Sequence, residues 1–107
     1  LGSMMEFVGY DETIADHRLQ LLRDSARPFL QASVDGPAQD TWYGWRPMTW
    51  DSLPVVGPAP ELKNVFFATG HNMLGLSLAP STGRLIKEMI CEEEAHINPK
   101  AFSPSRF

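Results

Sequence analysis

Asn64-Val65-Phe66-Phe67-Ala68-Thr69, then Gly70-His71-Asn72-Met73-Leu74-Gly75, then Leu76-Ser77-Leu78-Ala79-Pro80-Ser81-Thr82-Gly83 is the stretch that decides how this chain folds. Val65 to Thr69 is apolar and rich in β-formers, which reads as a buried strand. Gly70 and Gly75 bracket a turn. Beyond it Leu85, Ile86, Met89 and Ile90 recur at helical spacing, so a helix runs to about Cys91 and buries that stripe. Its start has two candidates. Pro80 fits the first helical position, where a missing N–H costs nothing; alternatively the helix starts near Gly75 and carries Pro80 as a defect in its second turn. Strand, turn and helix N-terminus together gather backbone N–H groups at one corner, where the helix dipole favours negative charge. The same corner also serves as a plain strand-to-helix connection.

Working outward, Val55-Val56-Gly57 is short and extended, Asp51 to Leu53 is a turn, and Pro58-Ala59-Pro60 is a stiff connector. Thr41 to Thr49 is dense in aromatic residues and reads as a strand, with Pro47 placing it at an edge. Ser33 to Asp40, holding Gly36-Pro37, is a loop. Ile14, Leu21, Leu22 and Phe29 lie near a 3.6 period, so Thr13 to about Ala26 is an amphipathic helix, with Asp11, Thr13 and Asp16 at its start and Pro28 at its end. Met4 to Tyr10 reads as a strand closed by Gly9. Glu92-Glu93-Glu94 ends the second helix, and the tail from Asn98 is proline-punctuated and irregular. Two main helices and about four strands predict an α+β fold with a small mixed or antiparallel sheet.

Composition narrows the function classes. A net charge of −4 argues against nucleic acid, which needs a clustered basic surface. No apolar run reaches the ~20 residues that span a bilayer, and no signal peptide opens the chain. The single Cys91 forbids an internal disulfide and fits a reducing, cytoplasmic setting. Leu1 to Met5 runs straight into a β-like stretch and reads as native sequence.

Several strings stand in a telling order: Gly44-Trp45-Arg46-Pro47-Met48-Thr49, Asp51-Ser52-Leu53-Pro54-Val55-Val56-Gly57, the Gly70-His71 turn, Ala79-Pro80-Ser81-Thr82-Gly83, and the closing Phe102-Ser103-Pro104-Ser105-Arg106-Phe107. This order resembles the C-terminal flavin-contacting segment of FAD-dependent amino acid oxidoreductases, the DAO-type group of D-amino acid dehydrogenases and glycine oxidases. The likeness extends more weakly through Met5 to Gly9. It implies a dinucleotide-binding unit with G-x-G-x-x-G, and no such motif occurs in these residues. The expectation is therefore a single C-terminal fragment over 1–107: a substrate-domain strand and helix in 1–50, a flavin-contacting strand, turn and helix in 51–92, and a tail in 93–107. The N-terminal FAD-binding domain would be its missing partner.

The resemblance favours a helix from Gly75. It assigns Gly70, His71, Asn72, Met73, Leu74, Gly75, Leu76 and Ser77 to cofactor binding, with N–H groups around Met73, Leu74, Gly75 and Leu76 facing the pyrimidine edge of the flavin. It assigns Arg46 to the carboxylate of an amino acid substrate, held by two parallel hydrogen bonds. The competing reading of Arg46 is a cation stacked on Trp45 or Trp42. The resemblance also implies that FAD belongs to the intact enzyme and that this fragment neither retains it nor catalyses alone. The parent would be cytoplasmic, with peripheral attachment to the inner membrane left open.

No residue is assigned as a catalytic acid or base. His71 has a backbone-positioning role, and no set of ligands stands at metal spacing. Trp42, Tyr43, Trp45 and Trp50 read as core, one of them a candidate pocket wall. Cys91 reads as structural, Arg18, Arg84 and Arg106 as solvated or locally paired, and no serine–histidine–acid arrangement is visible. Faces left bare by a missing domain predict self-association, as a homodimer through sheet edges. The alternative from another class is a free-standing, non-catalytic α+β interaction module.

Overall fold

The computed structural model describes every residue except Ser3. The chain divides into two compact units, Leu1–Gly44 and Trp45–Phe107.

In the first unit α1 spans Asp16–Ala26 and runs into a 3-10 turn over Arg27–Phe29. The helix begins later than Thr13 because Asp11 Oδ1 accepts a hydrogen bond from the Thr13 N–H at 2.9 Å. That Asx turn holds Thr13 outside the helix, and Ala15 stands at the N-cap with no side-chain bond. The α-helix ends at Ala26, as the proline predicts, and Pro28 sits inside the 3-10 turn that follows. The expected strand over Met4–Tyr10 is absent among the described residues. Gly9 is left-handed at φ +65 and the Asp11 N–H reaches Val8 O, so the segment turns instead of extending along a partner. No described residue of this unit is buried. Arg18 pairs with Glu6, and Arg27 with Asp35 and Asp24.

The second unit holds the fold's core. β1, Val55–Pro58, pairs antiparallel with β2, Phe66–Thr69, in the register Val55↔Thr69 to Pro58↔Phe66. A 3-10 turn over Asn72–Leu74 leads into α2, Gly75–Ile90. Val56, Ala59 and Leu85 form the buried apolar centre. The chain is α+β as expected, with two helices and a two-stranded antiparallel sheet among the described residues. Thr41–Thr49 forms no strand. Pro47 lacks a ladder N–H, and its carbonyl accepts from the Asn72 N–H at 3.1 Å instead. The aromatic residues of that stretch are therefore not core: Trp42, Tyr43, Trp45 and Trp50 are all exposed. β2 is likewise mostly exposed rather than buried, because among the described residues it has a single ladder partner, β1.

α2 starts at Gly75 and continues through Pro80. The carbonyl that Pro80 leaves without an N–H is that of Leu76, a residue 94% exposed, so the defect lies where solvent has access. Of the expected stripe, Leu85 is buried, Ile86 and Met89 are half-buried, and Ile90 faces solvent. Glu88 takes the interior position instead, at 4% exposure. The helix ends at Ile90 with Cys91 as its cap, close to the expected end, and Glu92 closes it. That residue is left-handed at φ 55, with the Glu93 N–H on Glu88 O and the Glu92 N–H on Met89 O, the paired bonds of a Schellman motif. The tail is more regular than its prolines suggest. Two 3-10 turns, Pro99–Phe102 and Pro104–Arg106, are capped by the Asn98 and Ser103 side chains and pack on β1.

Candidate functional site at the strand-to-helix corner

The corner is built from the strand outward. Gly70 follows β2, is buried, and is left-handed at φ +76. A Cβ there would stand 3.1 Å from Thr49 Cγ2 and 3.5 Å from Val55 N, so glycine alone permits the close approach. Asn72 also turns left-handed, at φ 51. Its N–H is taken by Pro47 O, and the Leu74 N–H by His71 O at 2.9 Å. Leu74 is thus not a free donor, although its neighbours are better placed. The Met73 N–H has no hydrogen bond among the described residues. Neither the 3-10 turn nor α2 has a side-chain cap, and no acid occupies the first turn of α2. The first-turn amides at Gly75, Leu76 and Ser77 therefore carry the positive end of a 16-residue helix with no anionic side chain to offset it.

Met73, Leu74 and Leu76 present exposed apolar side chains around these donors. Donors inside an apolar rim suit a flat aromatic ligand with an electron-rich edge. His71 points back into the fold, its Nε2 2.9 Å from Thr82 Oγ1 on α2, which ties the turn to the helix. Asn72 Oδ1 is buried with no hydrogen-bond partner among the described residues, an arrangement that costs stability. Arg46 is exposed and forms no salt bridge among the described residues. It precedes Pro47, whose carbonyl holds Asn72, so its backbone lies next to the turn.

Two polar clusters escaped sequence reading. Arg106, expected to be solvated or locally paired, instead reaches Asp51 across the unit. Glu88 accepts from the His96 N–H at 2.9 Å, from His96 Nδ1 at 2.7 Å and from Arg84 Nε at 2.7 Å. These bonds, the His96 pair foremost, hold its carboxyl at about 2. His96 Nε2 in turn lies 2.9 Å from Ser81 Oγ. A serine–histidine–acid arrangement is thus present after all. Ser81 and Glu88 stand two helical turns apart on α2, a spacing visible in the sequence, but His96 arrives from beyond the helix. Arg84 is locally paired, as expected. Cys91 is an exposed free thiol rather than a packed one. Among the described residues no cluster could hold a metal ion.

Known proteins match this chain over almost its whole length. A model of the family described as "DAO: FAD dependent oxidoreductase" matches residues 1–89. A glycine oxidase of Pseudomonas aeruginosa is 33% identical over 105 residues, covering 98% of this chain and 29% of that protein. A D-amino acid dehydrogenase of Granulibacter bethesdensis is 33% identical over 107 residues, covering 100% of this chain and 25% of that protein. The crystal structure of glycine oxidase from Geobacillus kaustophilus superposes with a TM-score of 0.72 at 30% identity, covering 92% of this chain and 26% of that one. The chain thus spans between a quarter and a third of the curated relatives it matches. With the family's model running through both units and into α2, the chain belongs to the FAD-dependent oxidoreductase family.

Proposed function

We propose that this chain supplies the flavin-edge and substrate-carboxylate contacts of an FAD-dependent oxidoreductase that oxidatively deaminates amino acids. The observation that carries the reading is the uncapped corner at Gly70–Ser77, with its free Met73 N–H, its bare helix N-terminus and its apolar rim. These residues fit the ring end of FAD. They do not fit its ADP end, for which the chain has no G-x-G-x-x-G turn. The rest of such an enzyme, an FAD-binding domain included, is the partner this reading requires.

FAD, when bound, accepts the two electrons and the hydrogen of the amino acid Cα–H, and the imine released is hydrolysed by water to a keto acid and ammonia. The corner's amides stabilise negative charge at the ring edge more in the reduced than in the oxidised state, which is the differential binding that catalysis needs. Arg46 holds the substrate carboxylate and so sets the orientation of Cα. His71 keeps the turn against α2 and moves no proton. By itself the chain binds flavin weakly. The unpaired edge of β2 and the exposed apolar side chains favour self-association through that edge.

The test is turnover of D- and L-amino acids and glycine by the protein that carries this chain, with a dye as electron acceptor. FAD should copurify, and Arg46→Ala should raise KM at least about tenfold, since one charge-assisted contact is worth that much. A flavin-free protein, or an Arg46→Ala variant with unchanged KM, overturns the reading.

A further inference from the structure

We propose that Ser81, His96 and Glu88 form a nucleophilic site, separate from the flavin corner, at which the Ser81 hydroxyl takes the acyl group of a small unhindered ester. The geometry is that of an activated nucleophile: Ser81 Oγ to His96 Nε2 is 2.9 Å, and His96 Nδ1 to Glu88 Oε2 is 2.7 Å. Glu88 is ionised and can only accept hydrogen bonds. The short contact with Nδ1 therefore puts a proton on that nitrogen. In the neutral imidazole this leaves the Nε2 lone pair facing Ser81 Oγ, the tautomer a general base needs.

The orientation of His96 is held twice over, since its backbone N–H also donates to Glu88 Oε2 at 2.9 Å. Those two bonds already anchor the tail to α2. Ser81 is exposed, so its hydroxyl is open to a ligand from solvent. Arg84 lies one helical turn from Ser81 on the same face. Its Nε is fixed on Glu88 Oε1 at 2.7 Å, and its terminal amino groups have no hydrogen bond among the described residues. They are the cation at hand for a carbonyl oxygen that gains negative charge.

The chemistry balances without any redox partner. Ser81 Oγ bonds to the ester carbonyl carbon as its proton passes to His96 Nε2. The bond from that carbon to the alcohol oxygen breaks, and the alcohol leaves with the proton. Water then attacks the acyl-serine, its proton moves to Nε2 and on to Ser81 Oγ, and the carboxylic acid departs.

The test treats the full chain with a fluorophosphonate and with p-nitrophenyl acetate, followed by intact-mass and peptide mapping. The expected result is one adduct per chain, on Ser81, formed about 10²-fold faster than on N-acetylserinamide. Ser81→Ala should abolish the adduct while keeping the helical circular dichroism signal. His96→Gln should slow labelling by about 10²-fold. Should His96→Gln not fold, the comparison with N-acetylserinamide decides alone. No adduct, an adduct elsewhere, or labelling of Ser81 no faster than the free amide overturns the proposal.

Discussion

Arg106 grips Asp51 from 55 residues away, Nε donating to Oδ2 at 2.7 Å and Nη2 to Oδ1 at 3.1 Å. Nη2 also donates to Leu53 O at 2.7 Å, and the guanidinium lies 4.3 Å from the centre of the Phe107 ring. The pair fastens the end of the chain to the turn before β1. Asp51 Oδ1 accepts from the Leu53 N–H, and Leu53 O accepts from Thr49 Oγ1, so the same turn supports the wall against which Gly70 packs.

Arg106→Ala should lower the melting temperature by about 5–10 °C, the scale expected when a small unit loses a well-packed ion pair. Arg106→Lys should recover less than half of that. An ammonium cannot offer two parallel donors to Asp51 while also reaching Leu53 O. Thermal melts of the two variants beside the native chain check both statements.

Glu88 yields a pH prediction with a definite sign. Its folded pKa is depressed from 4.5 to about 2, so it contributes stability that is fully present above pH 4.5 and is lost as pH falls toward 2. The gap in melting temperature between the native chain and Glu88→Gln should be constant above pH 4.5 and narrow below it. A gap unchanged from pH 5 to pH 2 would show that His96 and Arg84 do not favour the ionised form.

Glu92→Gly should stabilise the chain by about 1 kcal/mol, because a left-handed C′ position suits glycine and costs a residue with a Cβ. Urea denaturation should show a higher midpoint with an unchanged slope.

Gly70→Ala should destabilise by about 1–3 kcal/mol, through its left-handed backbone and its contact with Thr49 Cγ2. Thr49→Ser removes that methyl while keeping a hydroxyl for Leu53 O. In a double-mutant cycle Thr49→Ser should therefore be less costly in the Gly70→Ala background than alone, a coupling that additive sites would not show.

What was legible in the sequence was local. Gly70, the apolar run before it and the stripe through Leu85 located β2, the turn and α2, because each signal acts within a few residues. Pro80 left two helix starts open, and the structure chose Gly75 because solvent can satisfy Leu76 O. Thr41–Thr49 misled for the converse reason. Its aromatic residues have strand propensity, but a strand exists only where a ladder partner does, and Pro47 gives its carbonyl to Asn72 instead. The early start expected for α1 failed on a competing local bond, Asp11 to Thr13, equally short-range but stronger than helix propensity.

By itself the sequence determined the two short extended stretches of β1 and β2, the glycine turn, the long second helix and the family, since stereochemistry and residue order carry those; the pairing of the two strands came with the fold. Only the tertiary structure decided the polar partnerships: Asp51 with Arg106, and Glu88 with His96 and Ser81. A buried charge is tolerated only when partners reach it, and which residues reach it depends on how the tail folds back over β1 and α2. Glu88 shares a helix face with Leu85, three residues earlier, but only the arrival of His96 from the tail makes a carboxylate tenable there.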